Sequence, residues 1–551
     1  MNKKLIKKKR VYINRRVPLA LYIVAMLPIA FSSNVYAKRF DTGVPDLQAR
    51  WDNTLKYSAL YRVEGLDEQV TGNSFSANFD DGDRNFDVGL VSNRLNLLSE
   101  LDLQYRNIGF RISGSAWYDH AYQGRNDNDS PTTFNPESVS NDRFTQETEE
   151  LHGQDAELLD TFLFGRTELF GAPISARLGR HTLLYGESLF FGGNGVANAQ
   201  SSIDVVKALS VPGSQFKEIA RPINQLSTSI QLTPEIGVGA YYQFEWREYR
   251  LPGSGSYFST SDILDDGGER LLIGTDNTTA FHRGKDIEAE DSGQGGMQVR
   301  WKPDGSEFDF GFYAAKHHSK TPVIYLEPGA GSEGLGEYRL VYPEDIKTYG
   351  ASVSTLVGDT NVALETSYRQ DTPLMARGGA VVVNADADNS GNAAYPVGDS
   401  FHAQVSTVSV LPASTFWDGA TLLSEIAFNR RLSISRNADQ LDPNATRDAW
   451  GLRVLFEPQY FQVLPQLDLS VPINVGWAPV GRSSVFSFGP DNGGDITLGL
   501  NASYQGVYRA GLSWTHYYGD KGATLDEDGA LSYKQNLGDR DFISLRLQRT
   551  F

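Results

Sequence analysis

The sequence predicts an all-β protein, a transmembrane β-barrel of about 18 antiparallel strands (roughly 16–18), with a partly helical loop that we expect to fold into the lumen. Three observations predict this fold. The chain begins with an export segment, many later segments alternate apolar and polar residues, and no stretch after residue 37 is long and apolar enough for a membrane helix. Because only helices and closed barrels satisfy every backbone hydrogen bond in lipid, a membrane location requires a barrel.

Residues 1–37 predict a cleaved secretory signal peptide. Eight Lys and Arg residues without any acid precede the apolar run 17–31, and Val35 and Ala37 form a small-residue cleavage site. The alternative is a membrane anchor, but the run of about 15 residues is shorter than the roughly 20 that a spanning helix needs. We therefore expect cleavage after Ala37 and a single outer-membrane barrel domain over residues 38–551.

Charge and composition exclude several classes of protein. Removal of residues 1–37 takes away eight basic and no acidic residues, which leaves 42 basic against 68 acidic residues and a net charge near −26. A nucleic-acid-binding protein needs a basic face, so the sequence predicts no nucleic-acid partner. The chain has no Cys, which excludes metal sites built on thiolates.

The alternation has the character of a barrel wall. Between residues 236 and 247 every even position is apolar, and the odd positions are mostly Gly or polar; the segment 94–106 repeats the pattern. A soluble β-sandwich also alternates. The polar face here carries charges of both signs, as a wet lumen does, and the apolar face is often aromatic near its ends, as girdles at the lipid boundary are. These aromatic positions are Tyr105, Trp246, Tyr368 and Trp514.

Eighteen segments are predicted to be strands, separated alternately by short turns and long polar connections. This alternation is typical of barrels with tight periplasmic turns and long outer loops, and an even count places both ends of the mature chain in the periplasm. The segments are 48–64, 91–106, 109–122, 158–170, 173–186, 223–233, 236–250, 293–302, 307–319, 347–357, 360–371, 401–412, 419–433, 448–457, 467–480, 495–505, 507–518 and 541–551.

The last predicted strand places Ile543, Leu545, Leu547 and Phe551 on one face. A final strand that ends on an aromatic residue resembles the signal that the outer-membrane assembly machinery reads. Arg549 interrupts the apolar face, but a long side chain near the membrane boundary can reach the headgroups. We therefore expect the assembly machinery and outer-membrane lipids as partners.

The connection 187–222 differs from the others because it is less acidic and contains a helical pattern. Ser202 is predicted to cap a short helix with Asp204 in its first turn, and the helix is predicted to end at residues 210–213. A helix in this position can cap the outside or fold into the lumen. Its apolar residues favour the lumen, where it would narrow the pore. The candidate constriction residues are Ile203, Asp204, Lys207, Leu209, Phe216, Lys217 and Glu218.

Charged residues on the strands are candidates for lining the pore. A ladder of basic and acidic side chains creates a transverse field that orients solutes. The equally weighted alternative is charge pairing that only stiffens the wall. The candidates are Arg94, Glu100, Asp102, Arg111, Arg166, Arg177, Arg180, Glu245 and Arg247.

The sequence predicts no catalytic residue, metal or cofactor. The segment 78–83 has the carboxylates and glycine of a calcium loop but lacks the remaining spacing, so a solvated acidic turn is favoured. The eight His residues include no HExxH motif, and no GxSxG motif is present. An outer-membrane hydrolase with a Ser–His pair across strands stays open, with His120 and His516 as the nearest candidates.

Three long runs resemble a family of proteobacterial outer-membrane barrels known as domain of unknown function 1302. They are NFDDGDRNFDVGLVSNRL (78–95), RLGRHTLLYGES (177–188) and IDVVKALSVPGSQFKE (203–218). The chain departs from the family pattern at His181, where Gln is usual, and at Tyr185, where Trp is usual. The resemblance implies an outer-membrane location and association with export or uptake of hydrophobic compounds. It also implies a periplasmic lipid-carrier-like partner and an inner-membrane transporter, but assigns no substrate.

These observations favour a porin-like transport channel for hydrophobic or amphipathic small molecules. The alternative is a non-conducting envelope barrel that handles lipids or has a structural role, and an outer-membrane hydrolase is the third hypothesis.

Overall fold

The structure is a computed structural model that describes residues 38–41, 43–73, 75–274 and 277–551, so the predicted signal peptide lies outside the described residues. Eighteen strands pair antiparallel, each with its neighbour along the chain. They are β1 (Leu47–Arg62), β2 (Gly89–Tyr105), β3 (Ile108–Asp119), β4 (Gln154–Leu169), β5 (Ala172–His181), β6 (Ile223–Gln231), β7 (Ile236–Gln243), β8 (Gln294–Trp301), β9 (Asp309–His317), β10 (Ile346–Val357), β11 (Thr360–Pro373), β12 (Val397–Leu411), β13 (Gly419–Arg431), β14 (Asp448–Leu464), β15 (Leu467–Ser470 and Ile473–Val480), β16 (Gly494–Tyr504), β17 (Tyr508–Tyr518) and β18 (Phe542–Thr550).

The sheet closes because β1 pairs with β18. The register runs from Thr54 opposite Thr550 to Arg62 opposite Phe542. Beyond the end of β18, the short strand Lys38–Asp41 pairs with the first part of β1 and continues the same edge. The predicted transmembrane barrel of 18 strands is confirmed, and each predicted segment coincides with one strand.

The two faces of the wall follow strand alternation, as predicted. On β17, Leu512 points outward between the exposed Leu500 and Leu545 of its neighbours, whereas Ser513 points inward and hydrogen-bonds Ser544 (2.7 Å). Exposed aromatic side chains gather near both ends of the strands, as girdles do. They include Tyr105, Trp301 and Tyr504 at the short-turn end and Tyr61, Tyr242, Trp450 and Trp514 at the other.

The ends of two strands differ most from the prediction, by seven residues each. The segment predicted as 236–250 ends at Gln243, and Trp246 is buried in the following connection rather than placed in a girdle. Its indole packs on Tyr342 in the hydrophobic core of the long connections, which removes it from the wall. The segment predicted as 448–457 continues to Leu464.

The long connections cover one end of the barrel. Short strands from three of them form a five-stranded outer sheet over a core that contains the fully buried Tyr338. The strands of the outer sheet are Arg270–Leu272, Ala280–Arg283, Val323–Pro328, Gly336–Val341 and Ala380–Val382. The α-helices are α1 (Glu68–Thr71), α2 (Asp81–Arg84), α3 (Gln146–Thr148), α4 (Val205–Ser210) and α5 (Phe216–Ile219). Within the described ranges, no helix is long and apolar enough to cross a membrane.

The assignment of faces can be tested at two adjacent residues of β17. Leu512→Arg places a charge toward lipid, and we expect it to lower the free energy of unfolding by about 2–4 kcal/mol. Ser513→Arg, its control, places the same charge in the lumen and should cost about 1 kcal/mol, the size of one lost hydrogen bond. Urea unfolding of the refolded protein in lipid vesicles measures both. Equal costs would contradict the assigned faces.

Candidate functional site

The connection between β5 and β6, residues 182–222, crosses the lumen; we call it the crossing loop. Its first part contacts β11, β12 and β13, and its second part contacts β1, β2 and β4. Strands β12 and β2 lie eight positions apart in a ring of 18, so the two parts are held at nearly opposite sides of the wall. The loop therefore folds into the lumen, as predicted.

Two buried carboxylates hold the first part of the crossing loop. Glu365 of β11 accepts hydrogen bonds from the backbone N–H groups of Glu187 (2.6 Å) and Val196 (2.7 Å). Glu425 of β13 accepts them from Phe190 (2.5 Å) and Phe191 (2.9 Å). Each carboxylate accepts hydrogen bonds from two buried backbone N–H groups, so these two side chains act as anchors for the loop backbone.

An arginine on the same face of β11 as Glu365 holds the same turn by its carbonyl groups. The guanidinium of Arg369 donates to the carbonyl oxygens of Gly193 (3.0 Å), Asn194 (2.8 Å) and Gly195 (2.8 Å). The Asn194 side chain in turn bonds His402 of β12 (2.9 Å). The turn is thus bound to the wall through its donors and its acceptors.

Ion pairs hold the second part of the crossing loop. Lys207 of α4 contacts Glu157 of β4 (2.7 Å), and Lys217 of α5 contacts Glu100 of β2 (2.6 Å). Glu218 accepts from Lys56 of β1 at 2.8 Å. Asp204 pairs with Arg250 (2.6 Å), which also contacts Glu157 at 2.7 Å. The loop and the wall therefore neutralise each other's charges.

The cap of α4 differs from the prediction. Asp204, and not Ser202, is the N-cap, since its carboxylate accepts from the backbone N–H of Lys207 at 2.8 Å. Ser202 is instead in a short strand paired with Arg221, which holds it in an extended conformation three residues before the first residue of the helix. The helix ends at Ser210, as predicted.

The family model described as "Protein of unknown function (DUF1302)" matches residues 17–551. The chain belongs to this family. The family's description assigns no activity, so the function of this DUF1302 protein has to be argued from its own residues. No curated protein matches the chain.

Solved porin structures resemble the chain weakly. OccAB1 of Acinetobacter baumannii has 11% identity and a TM-score of 0.42, with 94% of this chain and 98% of that chain covered. A BenF-like porin from Pseudomonas fluorescens Pf-5 has 8% identity and a TM-score of 0.42, with 92% and 98% covered. OpdK of Pseudomonas aeruginosa with vanillate has 9% identity and a TM-score of 0.39, with 91% and 98% covered. Similarity at this level extends no property of those proteins to this DUF1302 chain.

Several predicted pore-lining residues lie together on the inner face of the wall. Arg111 is the centre of this group and contacts Glu100 (2.5 Å), Asp102 (3.0 Å) and Asp160 (3.3 Å). Arg94 lies nearby on β2, with its guanidinium 5.0 Å from the ring of Trp117. Whether these residues contact a permeating solute stays a prediction.

The remaining basic candidates, on β4 and β5, do not belong to the group around Arg111. Arg177 lies against the ring of Phe162 at 5.8 Å, and Arg166 is exposed near the short-turn end of β4. The expectation for Arg180 was wrong. Arg180 is three residues from Arg177, so it points to the opposite, outer face with the exposed Leu178.

Glu245 and Arg247 lie beyond the end of β7, contrary to the prediction that placed them on a strand. Glu245 pairs with the outward Arg180 at 2.8 Å and therefore does not line the lumen. Arg247 turns inward and lies 3.8 Å from Glu157. Among the other constriction candidates, Leu209 and Phe216 are partly exposed, and Ile203 is half-buried.

The anchors Glu365, Arg369 and Glu425 were not among the predicted site residues. Glu365 and Arg369 occupy the same face of β11, four residues apart, and both are buried. That spacing was visible in the sequence and indicated two inward charges on one strand. Their partner, the backbone of residues 187–196, could not be recognised from side-chain types.

Two Ser–His pairs lie in the inner wall. His181 contacts Ser227 (2.7 Å), and His402 contacts Ser400 (2.9 Å). All four side chains are buried, and neither imidazole forms an ion pair with a carboxylate among the described residues. We interpret both pairs as structural hydrogen bonds, because a nucleophile has to reach its substrate.

The acidic turn 78–83 is buried, which corrects the prediction of a solvated turn. Asp80, Asp81 and Asp262 are inaccessible to solvent, and oxygen atoms from the three lie within 4.8 Å of one another, as ligands of a metal ion could. Asp83 makes a bidentate pair with Arg540 (2.6 and 2.7 Å). The turn is covered because distant connections pack over it. A second group that could hold a cation, Glu137, His282 and Glu333, is at the surface.

Burial changes the acidity of the acidic turn. It raises the pKa of Asp80 to about 6 and the pKa of Asp262 to about 8, and the nearby like charges add to the effect. The pKa of Asp81 is raised well above its ordinary value by the same causes. The folded connections therefore hold protons that the unfolded chain releases at lower pH.

These aspartates have a higher pKa in the folded state than in the unfolded state. Their contribution to stability is therefore complete below about pH 4 and is lost as the pH rises through the folded-state pKa. We therefore expect the covering connections to open more readily at pH 9 than at pH 6 in metal-free buffer. Hydrogen exchange of residues 78–86, corrected for the intrinsic rate, measures this. Asp262→Asn cannot ionise and should reduce the difference, whereas Asp87→Asn, an exposed residue of the same connection, should retain it. Equal protection at both pH values in the unmodified chain would contradict the account.

Proposed function

We propose that the protein is a bacterial outer-membrane channel for small solutes, with the crossing loop as its constriction. The observation that carries the proposal is the attachment of this loop to opposite sides of the inner wall, through Glu365 and Glu425 on one side and Glu100 and Glu157 on the other. A loop held across the lumen divides a wide barrel into a narrow path, and 18 strands enclose enough space for such a path.

The charge of the inner wall supports the same function. Arg111 with its three carboxylates, and Arg300 with Glu187 (2.5 Å) and Asp309 (2.9 Å), place both signs of charge beside the crossing loop. Wall charges of both signs orient polar and charged solutes in a pore. This favours solutes with a polar or charged end, which is the amphipathic part of the predicted range of hydrophobic or amphipathic small molecules.

The proposed partners follow from the final strand, which ends on Phe551, and from the family resemblance. Outer-membrane lipids would surround the apolar face, and the assembly machinery would insert the barrel. A periplasmic lipid-carrier-like protein and an inner-membrane transporter would deliver or receive the solute at the short-turn end. Each of these partners stays a prediction.

Conductance in planar lipid bilayers tests the channel. We expect defined openings for the refolded protein, and a severalfold larger conductance when residues 192–214 are deleted, because the deletion removes the turn held by Arg369 and helix α4. The control deletes residues 330–333, an exposed tip of the outer sheet, and should leave the conductance unchanged. Sealed bilayers with both the full chain and the 192–214 deletion would refute the channel and favour a non-conducting lipid-handling or structural barrel.

A further inference from the structure

A cavity of about 100 Å³ lies where the crossing loop meets the wall and the connection that follows β9. It is lined by Lys320 and Arg369, by polar groups that include Tyr249 and Thr321, and by the apolar Ile346 and Phe486. A single water molecule needs roughly 10–15 Å³ on this measure, so the cavity has room for a group of several atoms. It is continuous with the loop turn that Arg369 holds, since Gly193 and Asn198 of the crossing loop also line it.

The cavity wall contains two buried cations and no carboxylate. Glu365, on the same face of β11 as Arg369, partly offsets the charge of Arg369 from outside the lining. Lys320 is 4% exposed, and its ammonium group donates to the carbonyl oxygen of Asn198 (3.1 Å). Arg369 is 3% exposed, and its Nε–H makes no hydrogen bond. No Asp or Glu is among the lining residues, and within the described ranges neither cation forms an ion pair with a carboxylate.

The two neighbouring histidines add no charge to the cavity wall. His318 accepts from the backbone N–H of Asp345 and contacts the carbonyl of Ser292, so both its ring nitrogens are occupied by partners that suit the neutral ring. His317 likewise contacts Thr348 (3.1 Å) through its second nitrogen. The net charge of the cavity wall therefore comes from Lys320 and Arg369.

Two buried cations without a direct ion-pair partner are costly in a folded protein, and an anion that binds between them reduces that cost. The protein as a whole carries a formal charge of −18, so the absence of an acid here is a local feature. Burial, with the charge of Arg369 adding to it, lowers the pKa of Lys320 to about 7. A bound anion would keep that ammonium group protonated.

We propose that this cavity binds a small carboxylate, with the carboxylate group between Lys320 and Arg369 and a short apolar part against Ile346 and Phe486. The apolar half of the lining favours a carboxylate with a short hydrocarbon end over phosphate or sulfate, whose surface is polar on every side. The inference rests on the proposed function and extends it. The site is beside the constriction and would select solutes there. Binding itself does not require conduction.

Trifluoroacetate is a suitable probe because it is a small carboxylate with an apolar end. We expect its ¹⁹F resonance to broaden on addition of the folded, full-length protein in zwitterionic detergent, and acetate to reverse the broadening by competition. Lys320→Met should weaken binding by at least about tenfold, because the ammonium group is one of two cationic groups among the described residues that line the cavity. Lys316→Met is the matched control, since Lys316 lies four residues away at the surface and pairs with Asp345 at 2.7 Å.

The other outcomes are also decisive. Equal binding by Lys320→Met would overturn the proposal, as would equal broadening of trifluoroethanol, which lacks the charge, or displacement by phosphate but not by acetate. If Lys320→Met fails to give the heat-modifiable band of a folded barrel on a gel, Lys320→Gln replaces it, and Lys320→Arg should retain binding. Probe binding without bilayer conductance would refute the channel but support the carboxylate site. Conductance without probe binding would support the channel but refute the carboxylate site.

Discussion

The structure depends on one constraint: backbone N–H and C=O groups that face hydrocarbon must be hydrogen-bonded within the protein. Pairing of β1 with β18 meets it, because the ring then has no free edge. The strand Lys38–Asp41 extends this pairing along β1 past the end of β18. Once the ring is closed, strand alternation separates the residues that contact lipid from those that enclose the lumen.

The closed ring creates an interior in which charged groups need partners. The crossing loop and the wall satisfy this need for each other. Glu365 and Glu425 bind backbone N–H groups of the loop, and Glu100 and Glu157 bind its lysines. The cavity beside Lys320 is the exception, because its lining has hydrogen-bond donors and positive charge but no acid. The constriction and the proposed carboxylate site thus have one physical origin.

Strand alternation made most of the wall predictable from the sequence, because a period of two is a local property. Strand alternation places Arg177 and Arg180 on opposite faces, because they are three residues apart. The expectation for Arg180 was wrong because it considered only that the two residues are close in sequence. Burial of Asp80 was not predictable, since Asp262 and other residues far along the chain cover it. Glu425 as an anchor was equally hidden, because its partners are backbone groups more than 200 residues away.

The central claim is that the crossing loop lies inside the ring, and cysteine cross-linking in outer-membrane vesicles tests it most directly. The chain contains no Cys, so an introduced pair reacts without background. A short bismaleimide should join Lys217→Cys to Glu100→Cys, whose native side chains form an ion pair at 2.6 Å, but not to Leu101→Cys, which faces lipid on the same strand. Cross-linking to position 101 as efficient as to position 100, or to neither, would contradict the account.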